Sequence, residues 1–466
     1  MKSFVIVAIS CWLGVASTTI FADDLMLRVE QEDDVYTYVN ADNGAGPLWC
    51  SGSTSIVRSG GRVFVAGLET IPDAKRLNNC RWMLFTRDAD RWQQVRVDPT
   101  GRTREPSPLA ASADGRVFLS VNPTLDPTAY SGPALPDVLR FDAEDPTSEP
   151  TSLTPKWQGT PAFSEHSYRS FAADGEAGEL VLLQNIGYTH AEWTFRDSSG
   201  KWSAQGQLKW PWGDQYQKPQ PIRVCYPNVA MRDRAVHFFG VSDIVEPNPG
   251  FRKFKRDLTG QEWDYDFRRL FYTWTSDITE EPFHEWIEIA SREATCGRVA
   301  PCDLWLAPGG EVHLLWTERA IDTRLREKFF PDAKQSETLN HAVIHDGKVT
   351  HRQSIQRKDE GKPGLVGYAA RFHVTPDHRL FVVHQASGTD QDGTQVSENR
   401  IVEMLPDGTV GPATRIPLDR PFTNFFTTTV RAGSPESWAI ELLGPRQGTP
   451  MTMSYARIRL MDPPSE

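Results

Sequence analysis

A chain of 466 residues, 39% hydrophobic and 24% charged, has the make-up of ordinary globular protein and ample length for a large core. Its formal net charge of −11 excludes a surface built to neutralise phosphates, so no nucleic-acid partner is expected. An acidic polysaccharide or oligosaccharide is compatible with that charge only in a local pocket supplied with Arg and His.

Residues 1–22 read as a secretory signal peptide: Lys2, a mostly apolar run from Phe4 to Phe21, then Ala22 ahead of Asp23 and Asp24. The expectation is a secreted or periplasmic protein, with no membrane contact after cleavage and residues 23–466 folded as a single domain. Cys11 would leave with the signal, so Cys50, Cys80, Cys225, Cys296 and Cys302 remain. An oxidising compartment predicts disulfides with one thiol left over; the sequence-local choices are Cys50–Cys80 and Cys296–Cys302, with Cys225 open as a partner. No pair has zinc-finger spacing.

From Thr54 onward one two-strand phrase returns seven times: a short β-prone run, a turn on Gly, Asp or Pro, then a stronger run of Val, Leu, Phe and Ile. It occupies Thr54–Glu69, Pro108–Asn122, Ser164–His190, Tyr226–Asp243, Cys302–Glu318, Ala369–Gln385 and Phe426–Leu443. Further strand candidates lie between the phrases, as in Ala191–Leu208 and Arg400–Leu418. Two inner and two outer strands per unit predict an all-β fold, a seven-bladed β-propeller of four-stranded antiparallel blades around a central channel. Met451–Leu460 would meet Leu25–Val29 or Val35–Val39 to close the ring, which removes open sheet edges. Helical periodicity is confined to Thr323–Phe330, and the charged segment from Lys253 to Asp266 reads as a long loop insertion in the fourth blade. A monomer is expected.

The hairpin pattern puts strand starts and partner-strand ends on one rim. The third phrase supplies His166, Tyr168, Tyr188 and His190, a density of His and Tyr that no other phrase matches. The rim also receives Trp49, Glu69, Arg104, Glu105, Asn122, Arg223, Tyr226, Asp243, Arg298, Glu318, Arg319, Tyr368, Arg371, His384 and Asn424. His237 and His313 share a mid-strand place and read as packed or solvent-facing strand residues. His341, His345, His351 and His378 read as surface residues. No nucleophile elbow, phosphate-binding glycine loop, HExxH or EF-hand pattern occurs. No cofactor is required by these motifs, although a structural calcium or other metal is compatible with them. Asp197–Trp202 partly matches the Asp-box turn of BNR-repeat propellers, whose value is architectural.

The HSYRSFAADG strand at His166, a second histidine at His190 and the YPN strand start at Tyr226 resemble seven-bladed propeller polysaccharide lyases of the ulvan lyase type, with related propeller α-L-rhamnosidases as cousins. The resemblance implies a carbohydrate-active enzyme that cleaves a uronate-containing polysaccharide by β-elimination. His166, His190 and Tyr226 would be its acid–base groups, and Tyr168, Arg169, Tyr188, Arg223, Arg269, Tyr272 and Arg371 would bind substrate. In that family an arginine that neutralises the uronate follows the tyrosine, near the end of the partner strand. Here Gly240–Asp243 holds none, which leaves Arg223, Arg269 or Arg371 to replace it. A nearby arginine would also lower the pKa of Tyr226. A glycoside hydrolase, rhamnosidase- or sialidase-like, is the alternative on this scaffold; two carboxylates would be needed, and Glu105, Glu318, Asp243 and Asp303 are the rim-adjacent supply. A non-catalytic glycan- or protein-binding propeller is the third.

Overall fold

The computed structural model describes residues 25–87, 91–261 and 263–461; the expected signal at 1–22 lies outside them. Seven four-stranded antiparallel sheets stand around a central axis as propeller blades, each ordered outward from its innermost strand. The third blade runs Ser170–Asp174, Glu179–Ile186, His190–Arg196, Trp202–Lys209, and the fourth Val224–Arg232, Ala235–Ser242, Arg269–Thr275, Ile287–Ser291. The second strand of each phrase is the most apolar because it is covered on both faces. In Glu179–Ile186, for example, every residue but the last is buried. Val181 and Leu183 pack toward Val229, Val236 and Phe238 of the fourth blade, while Leu180 and Leu182 pack toward Phe118 of the second. A strand sandwiched between two neighbours reads as a continuous apolar run, not as an alternation.

The ring closes in the seventh blade, where Met26–Thr37 pairs antiparallel with Thr449–Met461 from Met26↔Met461 to Thr37↔Thr452. One strand thus covers both of the closing segments expected from sequence. Arg457 and Arg459 each reach Glu30 across the seam, at 2.9 and 2.8 Å.

Two departures from the sequence reading shape the channel. The seventh phrase does not form a full hairpin: its inner strand is only Phe426–Thr427. The chain then crosses the turn end of the channel, where Ala432 O accepts from Ala111 N (2.8 Å) and Arg431 O from Ala173 N (3.0 Å). At the mouth end the segment before the first blade enters the channel. Ser53 Oγ accepts from Phe171 N (3.1 Å), and a Cβ on Gly52 would lie 2.0 Å from Pro227 O. The channel is therefore stopped at both ends by chain that carries no strand periodicity.

Gly433 sits in the lower stopper at φ +80°, and a Cβ there would come within 1.9 Å of Ala111 O. Gly433→Ala combines a left-handed strain with a backbone clash. It is expected to cost about 3 kcal/mol or more, read as a fall in the urea midpoint; an unchanged midpoint would refute this close packing.

The charged insertion in the fourth blade, expected as a loop, begins within a helix. Helix α1 (Pro249–Thr259) starts on Asn248, whose side chain accepts from Gly250 N and Phe251 N, and stops on Gly260 at φ +72°. It packs against helix α2 (Thr323–Phe329) through Phe251, Phe254 and Phe329. The expected disulfides are absent among the described residues, whose five cysteines are all free and buried. Cys296 and Cys302 lie on one strand, six residues apart, so roughly 20 Å of extended chain separates them. Cys50 packs with Cys225 and Tyr168, whereas Cys80 packs with Ala41 and Leu68.

Candidate functional site

The mouth end of the inner strands is irregular in a repeated way. Register shifts interrupt the pairing between Cys225 and Asn228 in the fourth blade and between Tyr368 and Arg371 in the sixth. Non-glycine residues take left-handed backbone there: Tyr226 at φ +51° and Ala369 at φ +47°, with Tyr168 at φ +42° just ahead of the third inner strand. Such conformations cost energy and turn the side chain out of the pleat. Tyr168 and Tyr226 are brought together by them.

The two tyrosines form a ring cluster with Trp49 of the upper stopper. Centroids lie 5.7 Å apart for Trp49–Tyr168, 5.4 Å for Trp49–Tyr226 and 5.3 Å for Tyr168–Tyr226. His166 packs on Tyr168 at 4.5 Å and on Trp49 at 5.9 Å. Its Nδ1 is 2.9 Å from Glu105 Oε1, and Glu105 also accepts from Ser167 N (3.1 Å) and Ser167 Oγ (2.7 Å). Burial works against the charge of Glu105, but His166, Ser167 and Arg169 together hold its carboxyl below the usual range. An ionised carboxylate only accepts, so Nδ1 of His166 carries a proton and Nε2 is the nitrogen left to meet a ligand. The side chain keeps 28% of its surface accessible.

Burial above all pushes the phenols of Tyr168 and Tyr226 upward. Burial outweighs any lowering of Tyr226 by a nearby arginine. Tyr226 is therefore a neutral donor at ordinary pH.

Beside this cluster lies a cavity of about 540 Å³, bounded by Trp49, Tyr226 and Phe267 on one side and by the fifth and sixth blades on the other. Arg298 on its wall stacks on Phe267 at 5.4 Å and is exposed, with no carboxylate partner among the described residues. Glu318 and Glu337 also line it. Glu318 accepts from Trp316 Nε1 (2.6 Å) and Arg292 Nε (2.7 Å), and Glu337 faces Arg319 and Tyr368 OH, each at 3.4 Å.

The other sequence candidates are distributed unequally. Arg169 is buried in the channel, donating to Ser120 O (2.7 Å) and Pro106 O (2.8 Å), and burial lowers it to about 10. Arg223 is buried against Asp243 (2.9 Å), 3.9 Å from the centre of the Tyr188 ring. Arg371 lies on the cavity floor, but its guanidinium donates to Cys302 O and to Ser51 O (3.3 Å). His190 begins the third strand of its blade, and both ring nitrogens are engaged, Nδ1 with Thr189 Oγ1 (2.7 Å) and Nε2 with Glu192 Oε1 (2.9 Å). Arg269 pairs with Glu288 toward the outer edge of the fourth blade. Tyr272 is core, its hydroxyl 2.7 Å from His237 Nδ1 between the fourth and fifth blades. Neither Arg269 nor Tyr272 borders the cavity. None of the three arginines named as replacements is free; Arg298 is, and only its place at the start of a strand hinted at it. Glu337 carried no signal at all. Asp243 and Asp303, offered as hydrolytic carboxylates, are tied to Arg223 and to Arg431 (2.8 Å).

Among the described residues, no group of three or more His, Cys, Asp or Glu is arranged to hold a metal ion. None of their helices is long and apolar enough to cross a membrane.

No family model matches the chain, and no curated protein does either. Solved structures do resemble it. A protein of unknown function from Dyadobacter fermentans is 12% identical over 93% of this chain and 99% of its own, with a TM-score of 0.42. A Penicillium chrysogenum alpha-L-arabinanase complexed with arabinobiose is 11% identical over 93% and 98%, at 0.40. The N-terminal domain of Nup159 is 8% identical over 94% and 96%, at 0.44. Such likeness does not bear on what this chain does.

Proposed function

We propose that the mouth cavity cleaves an acidic, uronate-containing polysaccharide by β-elimination. The observation that carries this reading is an unpaired arginine, Arg298, on the wall of a cavity that Tyr226 also lines, with the Glu105–His166 pair packed behind Trp49. Arg298 binds the uronate carboxylate and withdraws charge from it, which acidifies the proton at C5. His166, which stands behind Trp49 and outside the cavity lining, takes that proton on Nε2 from a substrate that reaches past Trp49, Glu105 holding the ring and stabilising the imidazolium that forms. The electron pair released at C5 forms the C4–C5 double bond as the C4–O bond breaks, and Tyr226 gives its hydroxyl proton to the departing oxygen. A neutral phenol suits the acid role. Solvent then returns the proton from His166 to Tyr226.

Hydrolysis is favoured instead by one observation, the two carboxylates Glu318 and Glu337 on the same cavity wall. The two reactions leave different products. With a panel of uronate polymers, elimination gives the ultraviolet absorbance of an unsaturated uronate, and Arg298→Ala should reduce kcat/KM by about 100-fold, with Arg298→Lys restoring part. New reducing ends without that absorbance, sensitive to Glu318→Gln, would replace this reading with hydrolysis.

A further inference from the structure

A second cleft opens on the same face between the third and fourth blades. It measures about 480 Å³ and is framed by two short ribbons, Trp212–Gly213 with Gln220–Pro221 and Ile244–Val245 with Tyr265–Asp266. Its walls carry exposed aromatic surface: Trp263 is 63% and Tyr188 43% exposed, and the hydroxyls of Tyr188 and Tyr265 meet at 3.0 Å. Ile244 and Pro221 add aliphatic wall, Thr189 and Gln220 add hydrogen-bonding groups, and none of the described residues that line it carries a charged side chain. Among the described residues Trp263 stacks on no ring.

We propose that this cleft is a second carbohydrate subsite, one that holds an uncharged pyranose by stacking its C–H face on Trp263 and the Tyr188–Tyr265 pair. The proposal rests on the reading of the mouth cavity as a glycan site. Two observations favour a neutral sugar over other occupants. The described lining has aromatic faces and hydroxyl or amide groups but no counter-charge, unlike the cavity with Arg298. The cleft and that cavity are also lined from one short segment of chain. Tyr265 lines the cleft and Phe267, two residues on and therefore on the same side of extended chain, lines the cavity. Asp266 between them points the opposite way, into Ser242 and Arg268. A chain crossing this aromatic ridge would place one sugar in each site. The ridge is also held rigid before any ligand arrives. Glu246, which follows Val245, takes the buried Lys255 of α1 at 2.8 Å, and Asp264, beside Trp263, takes Arg324 of α2 at 2.9 Å. Preorganisation of this kind lowers the ordering cost of binding.

The test uses calorimetry on the full chain, with neutral hexose, pentose and 6-deoxyhexose disaccharides as one set of probes and uronate oligomers as the other. Trp263→Ala should weaken neutral-disaccharide binding by about tenfold with Trp263→Phe close to wild type, and should leave the shortest uronate oligomer unaffected. Arg298→Ala should show the reverse pattern. No neutral disaccharide binding to the wild-type chain, or binding indifferent to Trp263, overturns the subsite whatever the uronate results. Binding that depends on Trp263, without any cleavage or binding of uronates, keeps the subsite and removes the lyase reading.

Discussion

His166→Gln is expected to lower turnover of a uronate polymer by about 10²- to 10⁴-fold, the range associated with a positioned acid–base group, while His190→Ala stays within a few-fold of wild type. The two histidines look equivalent in sequence, one at each end of a hairpin, and their surroundings separate them. His166 has one nitrogen fixed by a buried carboxylate and ring contacts to Trp49 and Tyr168. His190 has both nitrogens engaged, by Thr189 and Glu192, and no ring contact with Trp49, Tyr168 or Tyr226. Glu192 is itself buried and also accepts from Gln207 Nε2 at 2.8 Å, which makes the His190 cluster a framework of the third blade. Initial rates by ultraviolet absorbance, with urea midpoints to exclude unfolding, decide the matter. Equal losses at both positions would sink the assignment of catalysis to the His166–Tyr226 cluster.

The repeat was legible because a propeller enforces it. Every second strand is covered on both faces, so Leu180–Leu183, Phe238–Val241 and Leu380–Val383 all had to be apolar, and each had to follow a turn. What the repeat does not enforce went unread. Asn248, Pro249 and Gly260 are ordinary helix start and stop signals, but the run of charges in α1 masks the apolar stripe that would have given them weight. The stopper Trp49–Ser53 has no periodicity, and its partners, Phe171, Pro227 and Arg371, are far away in sequence. The site itself was legible as a rim. Strand ends located Tyr226, His166, Arg298 and Glu318 on one face, yet nothing local told which charges are spent. Arg223 is cancelled by Asp243 and Arg371 by backbone carbonyls, whereas Arg298 meets no acid among the described residues.

His341, read as a surface residue, shows the same limit with a larger consequence: it is buried, its Nε2 3.0 Å from His313 Nδ1. Five histidines are in fact packed inside the blades. Burial pushes His237, His373 and His384 down to about 4. His313 and His341 are lowered by burial and by the histidines beside them. All stay neutral in the folded chain at a pH where the unfolded chain, with His near 6.5, takes up protons. Their folded pKa values lie below the unfolded one, so stability is full above about pH 6.5 and falls as pH drops toward 4, by up to about 1.4 kcal/mol per pH unit for each group. At pH 5 each deeply buried histidine then costs about 2 kcal/mol, against a total stability of typically about 5–15 kcal/mol. The raised carboxyls of Asp266 and Glu293 work in the opposite sense, but they are two against five. The chain should therefore lose most of its stability between pH 7 and pH 5, a steep fall in urea midpoint well above the range where ordinary carboxylates titrate. His373→Gln, which keeps a donor for Ser437 O, should flatten that slope by about one proton's worth. A midpoint that stays level from pH 7.5 to 5.5 would mean that these histidines are protonated, or reached by water, in the folded state.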